Sequence, residues 1–234
     1  MSVHPKRMFR FVGPRWNPVG GKCPYDCVYC WVPILAKRYP CLRRKYSGQP
    51  RLFESELRRR FRPSDFVFAF SCIDPFALPK RLLNPCLSAM RESHARFLML
   101  SKNPAGASDF DIPGNVTLGA TIESDIDRPA LSKAPCRSDR LNYMMSGESE
   151  HAQLLVIEPI LDFNEGVFAD KIKWIPVLDS VAVGYDNYPH QPGHNLPEPS
   201  LAKTKRLIRE LRKFTKVHVK TLREPIHKAE ASQK

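Results

Sequence analysis

Cys23, Cys27 and Cys30 stand at C-x3-C-x2-C spacing, directly after Gly20-Gly21 and around Pro24. Three thiolates so close in sequence can face one inorganic centre only where the backbone curls into a loop, and the glycines and the proline suit such a loop. The stretch therefore reads as a metal site first and a fold element second. Ligand count narrows the metal. Structural zinc takes four closed ligands, and no second cysteine pair lies nearby. Three sulfurs suit an iron–sulfur cluster with one iron left open; a zinc knuckle or a simple electron-transfer cluster is the plainer alternative.

The rest of the chain has to frame that loop. Apolar runs recur at Phe66–Phe70, Arg96–Leu100, Val116–Ala120, Leu154–Ile157, Val181–Val183 and Val217–Val219, with a candidate first strand at Phe9–Val12. Continuous rather than alternating hydrophobicity is expected of parallel strands buried on both faces. Helical stretches are predicted at Ile34–Lys45, Leu52–Arg60, Leu82–His94 and Leu201–Phe214, the last with Leu207, Ile208 and Leu211 on one face. Alternation at this spacing predicts an α/β fold of parallel βα units. The strands close on polar residues: Asp74 after Cys72, Lys102, Thr121 with Glu123, Glu158 and Asn187. That is the edge where parallel α/β folds build their sites. Thr121 and Glu123 are two apart and so share a face.

C-x3-C-x2-C with an aromatic residue, Tyr29, before the last cysteine resembles the signature of the radical S-adenosylmethionine (radical SAM) superfamily. Trp16-Asn17-Pro18 and the later strand ends are similar to a small branch of unknown function, of phage and microbial type, itself distantly similar to spore photoproduct lyase. The resemblance covers roughly residues 9 to 222. It implies a partial (β/α)6 TIM-like barrel, a 4Fe-4S cluster on Cys23, Cys27 and Cys30, and SAM chelated to the open iron with Tyr29 against its adenine. Reductive cleavage of SAM to a 5'-deoxyadenosyl radical that abstracts hydrogen from a substrate is then the implied activity. A reductant such as flavodoxin or ferredoxin is the implied partner.

The resemblance also assigns roles at the strand ends. Asp74 falls where relatives carry a Gly-Glu-type motif beside the methionyl amino group, although Ser71-Cys72-Ile73-Asp74-Pro75 lacks the paired glycines. Lys102 matches a lysine that meets the SAM carboxylate, and Arg140 matches an arginine near the site. Glu123 is assigned to the ribose hydroxyls, and Glu158-Pro159-Ile160-Leu161 matches a strand-end motif of the branch. Cys72 is a candidate hydrogen-atom donor to a product radical, with a small buried side chain as its plain alternative. His190 and His194 lie in a proline-rich loop expected to overhang the active edge.

Composition bears on partner and compartment. In 234 residues, 37 Lys and Arg against 24 Asp and Glu leave a charge of +13, which favours a polyanionic partner, nucleic acid first. Ten of those cations fall between Lys37 and Arg62, against Glu54 and Glu56; a second group surrounds Leu201–Phe214. Seven cysteines form no even framework, which argues against a disulfide-bonded secreted scaffold, and a reducing cytoplasm is expected. Lys6, Arg7 and Arg10 precede no apolar signal region, and no apolar run approaches a membrane span, so a soluble single domain over 1–234 with a polar tail from Lys228 is expected. A non-enzymatic iron–sulfur or zinc module that binds nucleic acid is the competing reading; it has no use for the strand-end acids and Lys102.

Overall fold

The computed structural model describes Phe9 and residues 11–227, so Lys6, Arg7, Arg10 and the tail from Lys228 lie outside the described residues. In chain order the elements are β1 (Arg15–Trp16), β2 (Val19–Gly20), α1 (Trp31–Arg38), α2 (Pro40–Lys45), β3 (Arg51–Leu52), α3 (Glu54–Leu57), β4 (Phe66–Ala69) and α4 (Lys80–Arg91). There follow β5 (Arg96–Ser101), β6 (Val116–Thr121), α5 (Arg137–Ser146), β7 (Gln153–Ile157), α6 (Val167–Lys173), β8 (Leu178–Val183), α7 (Leu201–Leu211) and β9 (Lys216–Val219).

Seven strands form one wholly parallel sheet in the order β1-β4-β5-β6-β7-β8-β9, and β2 and β3 make a small antiparallel pair. This is the expected partial TIM-like barrel. Its outer face is covered by the apolar sides of α4 to α7, through Leu83, Leu87 and Met90 on one flank and Leu141, Phe168, Ile172 and Ile208 on the other. Its interior is filled by Phe68, Leu98, Leu154, Val156 and Ala182.

Alternation along each strand then dictates what stands above that apolar floor. Continuing the inward series puts Lys102 above Leu98 and Leu100, Glu123 above Gly119 and Thr121, Glu158 above Leu154 and Val156, and Lys220 above His218. Gly119 is required in this series: a Cβ there would lie 2.2 Å from Leu100 Cδ2 and 3.0 Å from the Leu154 carbonyl, so Leu100 fills the space instead.

Some predicted elements shift. The first strand is Arg15–Trp16, not Phe9–Val12, because the backbone of Pro14 and Trp16 pairs with Phe68 and Phe70. Phe9 and Val12 are buried, but as a stopper in the barrel's N-terminal end, where the Phe11 ring lies tilted with its centroid 4.3 Å from that of His218. The helix expected over Ile34–Lys45 is broken at Tyr39, which is extended because Pro40 follows it. The one expected over Leu52–Arg60 shrinks to the turn Glu54–Leu57, since Arg51 and Leu52 pair with Gly20 and Val19. α6 has no counterpart among the predicted helices.

Candidate active site at the cysteine loop and the strand ends

The cysteine loop follows β2 and ends where α1 begins. Two glycines let it start: a Cβ on Gly20 would lie 2.3 Å from the Lys45 carbonyl oxygen, and Gly21 has φ +107° with the Gln49 carbonyl 2.6 Å from its would-be Cβ. Asp26 adopts a left-handed φ of 46°, which Asp tolerates better than most residues, and Cys30 N donates to Cys27 O at 3.0 Å to close the turn. Cys23, Cys27 and Cys30 are free thiols, each partly exposed. Burial raises the pKa of Cys23, and pushes Cys30 up to about 12. Among the described residues no three His, Cys, Asp or Glu side chains converge on a single ion. A cubane asks less of the loop, because each thiolate takes its own iron.

The loop is fastened to the connection between β6 and α5. Val28 N donates to Leu131 O at 3.0 Å, Lys133 N donates to Tyr25 O at 2.8 Å, and Ser132 Oγ lies 3.1 Å from Cys27 Sγ. Lys133 reaches Asp26 at 3.1 Å. Sequence reasoning missed Ser132, since a serine in a loop carries no signal until the fold brings it to a thiol.

Tyr29 ties the loop to the strand ends. Its ring packs with Leu161 and Leu196, and its hydroxyl donates to Glu123 Oε1. Glu123 is fully buried and also receives the Lys102 ammonium; Arg140 Nη1 lies 3.2 Å and Arg137 Nε 2.9 Å from its other oxygen. Burial alone would raise the Glu123 carboxyl, but Lys102, Arg140 and Arg137 outweigh it and hold the group well below the usual carboxylate range. Burial, then the Glu123 charge, raises Tyr29 well above an ordinary phenol, so it stays a donor.

Arg140 is satisfied: it also donates to the carbonyls of Pro135 and Thr121, so Thr121 contributes its backbone. Arg137, only 3% exposed, is not. Its Nε is misaligned toward Glu123 and its Nη2 has no partner among the described residues; Arg128 Nε nearby is likewise buried and unpartnered. Two guanidiniums with unused donors beside the cysteine loop fit an anionic group such as a carboxylate. Arg137 was not anticipated; the resemblance pointed to Arg140, three residues further along.

Asp74 shows the opposite electrostatics. It accepts from Ser101 Oγ at 2.7 Å, Lys102 N at 2.6 Å and Phe76 N at 3.1 Å, linking the ends of β4 and β5. Burial nevertheless outweighs these bonds and raises its pKa, because no cation among the described residues pairs with it directly. Glu158 accepts from Lys220 Nζ at 2.6 Å and Asn187 Nδ2 at 2.7 Å; Gly184 leaves the room for that pair. The ends of β5 to β9 thus present Lys102, Glu123, Glu158 and Lys220 inward as two neutralised pairs, with Arg137 and Arg140 added.

Cys72 lies apart from this ring, its thiol 3.6 Å from Ser71 Oγ and against the Tyr46 hydroxyl, with Arg15 and Lys45 nearby. His194 is buried and its Nδ1 lies 2.7 Å from Asp186 Oδ2, which pins the proline-rich loop; His190 is exposed.

The comparisons agree with this geometry at the level of fold. No protein-family model and no curated protein matches the chain. Among solved structures the chain is similar to SuiB of Streptococcus suis bound to S-adenosylmethionine, with a TM-score of 0.61 at 10% identity over 89% of this chain and 51% of SuiB. A second SuiB structure gives 0.57 at 9% identity, over 89% of this chain and 50% of that one. Spore photoproduct lyase complexed with dinucleoside spore photoproduct gives 0.55 at 12% identity over 86% of this chain and 75% of the lyase. The chain therefore shares the fold of SuiB and of spore photoproduct lyase, and it spans about half the length of SuiB. No helix among the described residues is long and apolar enough to cross a membrane.

Proposed function

We propose that the chain is a radical SAM enzyme. The observation that carries this reading is the bond from Tyr29 to Glu123, which joins the three-cysteine loop to a cationic strand-end network holding unused guanidinium donors. Cys23, Cys27 and Cys30 would hold a 4Fe-4S cluster, three soft donors leaving one iron for a further ligand. When bound, the cluster would supply the electron for reductive cleavage of SAM to methionine and a 5'-deoxyadenosyl radical, which would take hydrogen from a substrate.

The chain's own residues would bind and orient. Arg137, with Arg128 beside it, receives the methionyl carboxylate; Lys102, already committed to Glu123, holds that acid ionised rather than meeting the ligand itself. Tyr29 keeps the loop seated over the strand ends. Glu158 and Lys220 offer a polar wall on the opposite side, and Cys72 remains the candidate hydrogen-atom donor, its thiol held neutral by burial. A one-electron donor such as flavodoxin or ferredoxin, in a reducing cytoplasm, completes the reading.

The test is electron paramagnetic resonance of anaerobically reconstituted, dithionite-reduced protein with and without SAM, together with 5'-deoxyadenosine formation. A 4Fe-4S signal that changes on adding SAM supports the reading. A signal indifferent to SAM, or zinc in place of iron, refutes it and leaves the non-enzymatic module.

Ser132 gives a second readout. Its hydroxyl beside Cys27 stabilises the more negative, reduced state by donating to the thiolate. Ser132→Ala should lower the cluster midpoint by about 40 mV, the equivalent of ~1 kcal/mol of hydrogen bond in a one-electron couple. A potentiometric titration showing no shift would mean the contact does not persist once iron is bound.

A further inference from the structure

The chain's two basic stretches differ once folded. On and just after α7, Lys203 pairs with Asp162 at 2.8 Å, Arg206 with Glu165 and Lys213 with Glu210, so that face is partly neutralised, while Lys205, Arg212 and Lys216 form no ion pair among the described residues. The segment between the cysteine loop and β4 is not. Lys37, Arg38, Arg43, Arg44, Arg58 and Arg60 are exposed there and form no ion pair among the described residues. Of the two acids between Lys37 and Arg62, Glu56 already holds Lys45 at 2.8 Å and lies 3.9 Å from Arg59.

This segment is built against the site. The Lys45 and Gln49 carbonyls press on Gly20 and Gly21, and Gly21 N donates to Lys45 O at 2.8 Å. An open cleft of about 380 Å³ separates its Gly48-Gln49-Pro50 turn from Cys23, Pro24 and Lys133, a volume in the range of ligand clefts. Arginine predominates over lysine, and the planar guanidinium suits phosphate oxygens. Tyr39, 42% exposed with Arg38 5.4 Å over its ring, supplies a face for a base. It is the segment's one large exposed apolar side chain, too little to insert into a lipid surface.

We propose that the face formed by α1, α2 and the turn leading to β4 binds the phosphate backbone of a polynucleotide, and that this polynucleotide is the substrate class of the site beside it. The word substrate rests on the radical SAM reading; the binding does not.

Fluorescence anisotropy with the reconstituted protein and a labelled oligonucleotide tests it. Affinity should fall steeply with salt, and Arg43→Glu/Arg44→Glu should weaken binding at least about tenfold and flatten the log–log salt slope by about 2, one unit per lost phosphate contact. The same charge change on α7, Lys205→Glu/Arg209→Glu, should weaken it less than about threefold, since long-range charge is screened. If circular dichroism shows the first pair misfolded, Arg58→Glu/Arg60→Glu reads the same slope. Absence of salt-dependent binding, equal losses in the α7 pair, or equally tight binding of polyglutamate or anionic lipid vesicles would each overturn the proposal. Protein that binds oligonucleotide but never cleaves SAM refutes the enzyme reading and leaves this face standing; protein that cleaves SAM without binding does the reverse.

Discussion

Glu123→Gln should destabilise the protein by about 3–5 kcal/mol, the usual cost of removing one partner from a buried ionic cluster. No other acid among the described residues pairs with its cations: Lys102, Arg137 and Arg140 converge on it from the end of β5 and from α5, all nearly or wholly out of water. Glutamine keeps the shape and an acceptor but leaves the cations uncompensated, so the melting temperature should fall on the order of 10 °C for a chain of this size. The pH dependence has a definite sign. Because the folded carboxyl titrates below its unfolded value, its stabilisation is fully present above the ordinary glutamate range and is lost as pH falls through the depressed folded value. The gap between wild type and Glu123→Gln should therefore be widest near neutrality and close in acid. Denaturant unfolding across that range measures it; a variant within about 1 kcal/mol of wild type at neutral pH would show that the cluster contributes little net stability.

Cys27→Ala should have the largest effect on chemistry. With two thiolates the loop should lose its iron, its reduced-state signal, and 5'-deoxyadenosine formation down to the level of protein without iron. The fold should survive, because the loop is also held by the Val28–Leu131 and Lys133–Tyr25 backbone bonds and by Tyr29. Cys41→Ala, at an exposed position on α2, is the matched control and should behave as wild type. Retention of SAM cleavage in Cys27→Ala, with folding confirmed by circular dichroism, would sink the cluster assignment.

What could be read in advance follows physical range. Continuous apolar runs are strong local signals, so β4 to β9 fell close to their expected places. An acid or lysine immediately after such a run is equally local, which is why Lys102, Glu123 and Glu158 were legible as strand-end residues and alternation turns them inward. Partnership is not local. That Glu123 holds Tyr29, Lys102 and two arginines, and that Glu158 holds Lys220 across 62 positions, emerges only when the strands are side by side. The ribose role assigned to Glu123 came from resemblance, whereas both of its oxygens are engaged by protein groups here. Near the N-terminus the pattern misled for a different reason. Phe9, Phe11 and Val12 have the hydrophobicity of a strand because they are buried, but they are buried end-on, while the two-residue β1 is too short to leave a pattern.

That aromatic stopper closes the N-terminal end of the partial barrel and leaves the rim of strand ends as the open edge. On the radical SAM reading, a small reactant seated against the strand-end charges would lie beneath anything wide enough to span that rim. Two reactants of unequal size would then load in a fixed sequence, small before large, and unload in reverse. An excess of the large one would trap empty protein in a dead-end complex, so initial rates should pass through a maximum as its concentration rises.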